Sequence, residues 1–279
     1  MPDSTSHNLS SIRHIVAVAA GKGGVGKSTV ALNLALYLVG KGAKVGLLDA
    51  DLYGPSLKKM LPEETLPSQH PQHQERIIPA KSRGIKWISM AHFLHEESSA
   101  SVRAPIANGV IKQFLHLVEW GDLDYLIIDF PPGTGDIQLT LIQEGALSGA
   151  VIVGAPQEIA LLDVSKAVAM FREMQVPLIG LVENMSYYRV DDKTILYPFG
   201  KGKGECFTLE NRMYFLGKIP VDPEISRCCD QGESIFAVSF ESEAALSFAS
   251  VAEKVTDQLI SLEKLAQSSL KNFDLKWKR

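Results

Sequence analysis

The chain has 279 residues, of which 46% are apolar, enough for the core of one large α/β domain. A formal charge of −4 with no basic stripe argues against a nucleic-acid-binding surface, and no apolar run reaches membrane-spanning length. Three cysteines, Cys206, Cys228 and Cys229, are too sparse and too odd in number for a disulfide scaffold and point to a reducing, cytoplasmic setting.

Met1 to Ser11 is polar and lacks the charged and apolar regions of a signal peptide, so residues 1–14 read as a short N-terminal extension. The apolar run Ile15–Ala19 predicts the first buried strand. It leads into Gly21-Lys22-Gly23-Gly24-Val25-Gly26-Lys27-Ser28, the phosphate-loop pattern G-x-x-x-x-G-K-[ST]. Glycines without Cβ atoms let the backbone curl so that successive N–H groups point at a phosphate chain, helped by the positive end of the following helix. In that pattern Lys27 reaches the β- and γ-phosphates and Ser28 ligates magnesium. An apolar helix from Thr29 to Val39 completes the strand–loop–helix context, and Gly40 and Gly42 stop it.

Lys44–Leu48 predicts the second strand, running into Asp49-Ala50-Asp51. Carboxyl ends of strands line the ligand crevice of a doubly wound sheet, so these acids can hold magnesium or orient a water, with Asp51 the candidate. Residues 62–82, rich in Pro, Gln and His and without periodicity, predict an exposed loop, and Lys86–Met90 a weaker strand. Tyr125–Ile128 predicts a buried strand ending in Asp129, the Walker B arrangement that faces magnesium. The loop Phe130-Pro131-Pro132-Gly133-Thr134-Gly135-Asp136 follows, stiffened by prolines and open to phosphate through its glycines. Further strands are expected at Ala150–Val153, Leu178–Val182 and Phe215–Ile219, a helix at Ala160–Met174, and an amphipathic helix at Ser242–Leu262.

The alternation predicts an α/β fold with a doubly wound, mostly parallel sheet, as one P-loop domain over residues 15–262 with a basic tail over 263–279. In that tail Leu270, Phe273 and Trp277 would share a helix face, and packing of Trp277 on the domain or a partner is preferred over membrane attachment. His70, His73, His92 and His95 read as solvated or core histidines, and the sequence assigns Arg103 no role beyond a salt bridge.

Lys22, one residue after the first glycine, marks the deviant Walker A subgroup, and the loop resembles those of MinD, ParA and the nitrogenase iron protein. With LDADLYGPS, DYLIIDFPPGTGDIQLTL, PQEIALLD, GLVENMS and GKIPVDPEI, the chain resembles the Mrp/ApbC iron–sulfur carriers from about Ile15 to Ile225. The resemblance implies an ATP-hydrolysing homodimer that uses ATP and Mg2+, bridges a [4Fe–4S] cluster between its subunits, and passes it to apo iron–sulfur proteins or assembly machinery. It implies that Lys27 holds the phosphates of its own subunit and that Lys22 reaches the partner's nucleotide. Thr29 would touch the α-phosphate, Asp51 position the attacking water, Asn184 read the adenine, and Pro220 and Asp222 close over it. The chain departs from the family where many members carry Cys-x-x-Cys: here the segment is Tyr187-Tyr188-Arg189-Val190-Asp191-Asp192. Cluster ligation then falls to Cys228 and Cys229, adjacent residues that would point to opposite faces of an extended segment, or to Cys206 with one of them. The competing expectation is a MinD/ParA-like dimerisation switch that recruits a membrane or protein partner without a cluster.

Overall fold

The computed structural model describes residues 7–52, 54–93 and 104–271. His95, Arg103 and the tail residues Phe273 and Trp277 lie outside the described residues.

A short helix α1 (His7–Ser10) precedes β1 (Ile12–Ala19), which starts three residues earlier than its apolar run suggests because Ile12 is also buried. Then come α2 (Lys27–Gly40), β2 (Val45–Asp49) and α3 (Leu57–Met60). The expected exposed loop at 62–82 contains β3 (Ser68–Gln69), β4 (Ile77–Ile78) and β5 (Ala80–Ser82). The first two form a small hairpin, and β5 runs antiparallel to β6 (Ile85–Ser89), with Ala80 and Ser82 fully buried. The alternation that marks a half-buried strand is only three residues long here, too short to stand out beside the prolines. The chain continues through α4 (Ala104–His116), β7 (Leu123–Asp129), α5 (Asp136–Glu144), β8 (Gly149–Gly154), α6 (Glu158–Glu173) and β9 (Leu178–Glu183). A hairpin of β10 (Tyr188–Arg189) and β11 (Ile195–Leu196) then leads to α7 (Gly204–Glu210) and β12 (Phe215–Lys218). Finally α8 (Pro223–Gln231), α9 (Ile235–Val238) and the long α10 (Glu243–Lys271) close the domain.

The main sheet has the order β12-β9-β8-β1-β7-β2-β6-β5 and is parallel except at the β5 edge. Alternation along β1 feeds two cores. Val16 and Val18 pack with α2 and α10 on one face, while Ile15, Ala17 and Ala19 pack with α4, α5 and α6 on the other. Both faces being covered is what a parallel sheet requires. The chain leaves β1 in one direction for β2 and later places β8 on its other side, so the strand order reverses at β1. The crevice beyond the carboxyl end of β1 is therefore where a ligand fits.

Candidate nucleotide site

Residues 20–26 connect β1 to α2 at that crevice. Gly24 and Gly26 have φ of +81° and +80°, a region in which an L side chain is strained. A Cβ at Gly26 would also lie 2.1 Å from Asn184 Nδ2, and one at Gly21 would lie 2.0 Å from the Asp163 carbonyl oxygen. The glycines thus curl the loop and let it seat against α6 and the end of β9.

Lys27, the first residue of α2, is 7% exposed, and its Nζ donates to Asp129 Oδ1 at 2.5 Å. Asp129 ends β7, is fully buried, and its second oxygen, Oδ2, has no hydrogen-bond partner. Burial pushes its carboxyl up, opposed by the adjacent Lys27 ammonium and the Ser28 hydroxyl. In the neighbouring strand Asp49 stands in register with Asp129 and is equally buried. Asp49 accepts from Ser89 Oγ at 2.9 Å and from the Asp51 N–H at 3.2 Å. Burial, then the charge of Asp129, hold the Asp49 carboxyl well above the usual carboxylate range. Two buried carboxyl groups stand beside one ammonium, which pairs with Asp129, so ionisation of the unpaired Asp49 is the one disfavoured by burial and by its neighbour. The unpartnered Oδ2 of Asp129, on a carboxyl that also senses the Ser28 hydroxyl, gives the site oxygen donors of the kind magnesium takes.

Asp51 lies half-buried just past β2, and its Oδ1 accepts from the Gly54 N–H at 3.2 Å. Lys22 is half-buried and makes no ion pair among the described residues. The loop after Asp129 is braced by Gln138 of α5. Its Nε2 donates to the carbonyls of Pro131 and Pro132 at 3.2 and 2.7 Å, and its Oε1 accepts from Gly135 N–H at 2.8 Å.

Beyond the loop lies a cavity of about 400 Å³ whose lining includes Gly26 and Thr29 at one end and Asn184, Pro220 and Asp222 deeper in. Asn184 follows β9, is buried, and its Nδ2 donates to the Val25 carbonyl at 2.8 Å, which leaves its Oδ1 as acceptor. Met185, with φ of +56°, turns the chain there. Asp222 caps α8, accepting from the Glu224 N–H at 2.8 Å, with Pro223 opening the helix. The expected loop Gly21 to Thr29 and Asp129 therefore meet at the carboxyl end of β1, with Asn184, Pro220 and Asp222 lining the adjoining cavity; Asp51 and Lys22 are half-buried and do not line that cavity.

Cys228 and Cys229 are not brought together. They lie on α8, a helix and not an extended segment, where neighbours diverge by about 100°. Cys228 is buried in the core, and burial pushes its thiol up. Cys229 lines the nucleotide cavity beside Thr29, and burial raises its thiol too. Cys206 is exposed on α7. Among the described residues no group of three or more His, Cys, Asp or Glu is arranged to hold a metal ion.

Asp49, one of the two acids expected at the end of β2, is the inward-facing one, while Gln138 and Glu183 carry no expectation from the sequence. The carboxylate of Glu183 accepts from Ser186 Oγ at 2.5 Å and Gly204 N–H at 3.0 Å, and a Cβ at Gly202 would fall 2.0 Å from it. A Gln three residues after Gly135, in capping-box spacing, was the available signal for Gln138. Nothing in the sequence singles out Glu183.

A glycine cradle after β1, a buried Lys–Asp pair and an adjoining cavity, at the switch point of a parallel sheet, define a P-loop nucleotide-binding protein. A model of the NUBPL iron-transfer P-loop NTPase family matches residues 11–256, and the chain belongs to that family. It is 45% identical to an iron–sulfur cluster carrier protein of Aquifex aeolicus, over 93% of this chain and 71% of the relative. It is 43% identical to the chloroplastic Fe–S cluster assembly factor HCF101 of Arabidopsis thaliana, over 94% of this chain but only 49% of that longer protein. A nucleotide-binding protein from Archaeoglobus fulgidus, solved in complex with ADP, superposes with a TM-score of 0.74 at 35% identity, covering 87% of this chain and 95% of its own. The cell-division ATPase MinD of Pyrococcus furiosus shares the fold, with a TM-score of 0.62 at 21% identity over 88% of this chain and 99% of its own.

Proposed function

We propose that the chain is an ATP-binding and ATP-hydrolysing homodimer that serves iron–sulfur cluster assembly in the cytoplasm, with apo iron–sulfur proteins or assembly machinery as partners. The observation that carries this reading is the Lys27–Asp129 pair beneath the glycine cradle, continuous with the cavity floored by Asn184. The backbone N–H groups of residues 23–28 bind the phosphate chain, and Lys27 leaves or shares Asp129 to reach the β- and γ-phosphates. Ser28 and Asp129 hold magnesium, which neutralises phosphate charge when bound. Thr29 meets the α-phosphate. The Asn184 Oδ1, left free to accept, suits the exocyclic amine of adenine and repels the carbonyl of guanine. Asp51 orients the attacking water. Lys22, without an ion pair among the described residues, reaches the nucleotide of the partner. The loop 131–135, braced by Gln138, follows the γ-phosphate and relays hydrolysis to the dimer contact. Among the described residues no helix is long and apolar enough to cross a membrane.

A second reading is favoured by the divergence of Cys228 and Cys229: the same ATP-driven dimer without a cluster of its own, acting on a protein partner. A [4Fe–4S] cargo bridged by two chains needs two convergent thiolates from each. Anaerobic reconstitution with iron and sulfide, followed by metal counting, separates the two. Stoichiometric iron and sulfide, lost in a Cys228→Ser/Cys229→Ser variant, supports the carrier with an opened α8. No retained iron in a protein that still hydrolyses ATP supports the switch.

A further inference from the structure

The chain that follows the β10–β11 hairpin reaches the nucleotide cavity. Tyr197-Pro198-Phe199-Gly200 forms a turn closed by the Gly200 N–H donating to the Tyr197 carbonyl at 3.0 Å. Proline in the second position of the turn, and a Gly200 φ of +85°, fix its shape. The turn carries Phe199 to the wall of the cavity that also holds Thr29 and Asn184, and the ring remains 41% exposed there. Two contacts pin the segment. Downstream, the Glu183 carboxylate accepts from Gly204 N–H, and Gly202 packs on it. Upstream, the Tyr187 carbonyl accepts from the N–H of Val221, in the Pro220–Asp222 loop, at 2.6 Å.

Besides Asn184 and the phosphate end, the cavity has polar lining at Asp222, Ser226 and Asp230, and Met185, Val221 and Ile225 supply aliphatic wall. Asn184 can read the edge of a base but cannot cover its face. An exposed aromatic ring at the wall supplies the face contact, because flat rings gain from offset or edge-on packing.

We propose that Phe199 packs on the purine ring of the bound nucleotide, so that the β10–β11 hairpin senses whether the base site is filled. This rests on the nucleotide reading above. The hairpin is bolted to α10 on its other side, where Arg189 makes a forked pair with Glu243 at 2.6 and 2.7 Å. A shift at Phe199 therefore acts on an element carrying the exposed Val190, Ile195 and Leu196.

The test uses two probes, Mg-ADP and Mg-pyrophosphate, in calorimetry on the full chain. Phe199→Ala is expected to weaken ADP about tenfold and leave pyrophosphate unchanged, and Phe199→Tyr to restore ADP. Amide exchange across residues 188–197 should slow with ADP but not with pyrophosphate, and the slowing should vanish in Phe199→Ala. Unchanged ADP affinity in Phe199→Ala, equal loss for both probes, or exchange indifferent to ADP overturns the proposal while leaving the nucleotide site intact. If the wild type binds neither probe, the nucleotide reading itself fails and takes this inference with it.

Discussion

Replacing Lys27 by methionine keeps the length of the side chain and removes the ammonium 2.5 Å from a fully buried carboxylate. Asp129 would then keep its unpartnered Oδ2 and the neighbouring Asp49 carboxyl, with no other ion pair among the described residues. Breaking a buried pair from one side costs about 3–5 kcal/mol, because the remaining charge keeps its desolvation penalty. Asp129 can lower that cost by taking a proton, so the penalty depends on pH. Its folded carboxyl already lies above the unfolded value, and losing Lys27 pushes it higher. The folded state then binds the proton more tightly than the unfolded state, so stability falls as pH rises. In magnesium- and nucleotide-free buffer, thermal unfolding should show Lys27→Met lowered by about 10 °C at pH 9 and by much less at pH 6. Lys27→Met/Asp129→Asn should recover most of the loss, since neither charge remains. A single-variant penalty that is absent at pH 9, or that shrinks with rising pH, would refute the assignment of Asp129 as the buried charge.

Asp49→Asn should stabilise the protein above neutral pH. A carboxyl raised by burial favours folding below its unfolded value and loses that advantage as pH rises, so the melting-temperature gap in favour of asparagine should widen from pH 6 to pH 9. Equal melting temperatures at both pH values would show that Asp49 is not held protonated. Asp51→Asn should retain ATP yet cut turnover by about 100-fold or more and accumulate dimer in light scattering; wild-type turnover would make Asp51 a turn residue that only holds Gly54. Inactive Lys22→Ala and Lys27→Ala chains, mixed, should recover part of the ATPase rate, as a cation supplied in trans requires. No recovery once heterodimers are shown to form would place Lys22 outside a shared site.

The nucleotide loop and Asp129 were legible because their chemistry forces a local spacing: glycines where the backbone must turn, one lysine and one hydroxyl at its end, an acid after a buried strand. Asn184 and the Pro220–Asp222 loop became legible through resemblance, since nothing in their local spacing says that they meet Gly26 across the sheet. What escaped depends on register and on tertiary neighbours. Which acid of Asp49 and Asp51 faces inward follows from pairing with Asp129, a property of two strands 80 residues apart in sequence. The strands within 62–82 are too short for periodicity to show, and β5 exists because β6 offers it an edge. Cys228 and Cys229 sit on a helix and not on an extended segment because Asp222 and Pro223, a cap followed by a first-turn proline, start α8 just before them.

The central claim is a magnesium-nucleotide site built on Lys27, and titration of Mg-ATP into the purified chain by calorimetry tests it most directly. One nucleotide per chain is expected, with binding reduced at least 100-fold in Lys27→Ala, well beyond the loss of a single neutral hydrogen bond. Absence of binding by the wild type, or undiminished binding by Lys27→Ala in folded protein, would contradict it.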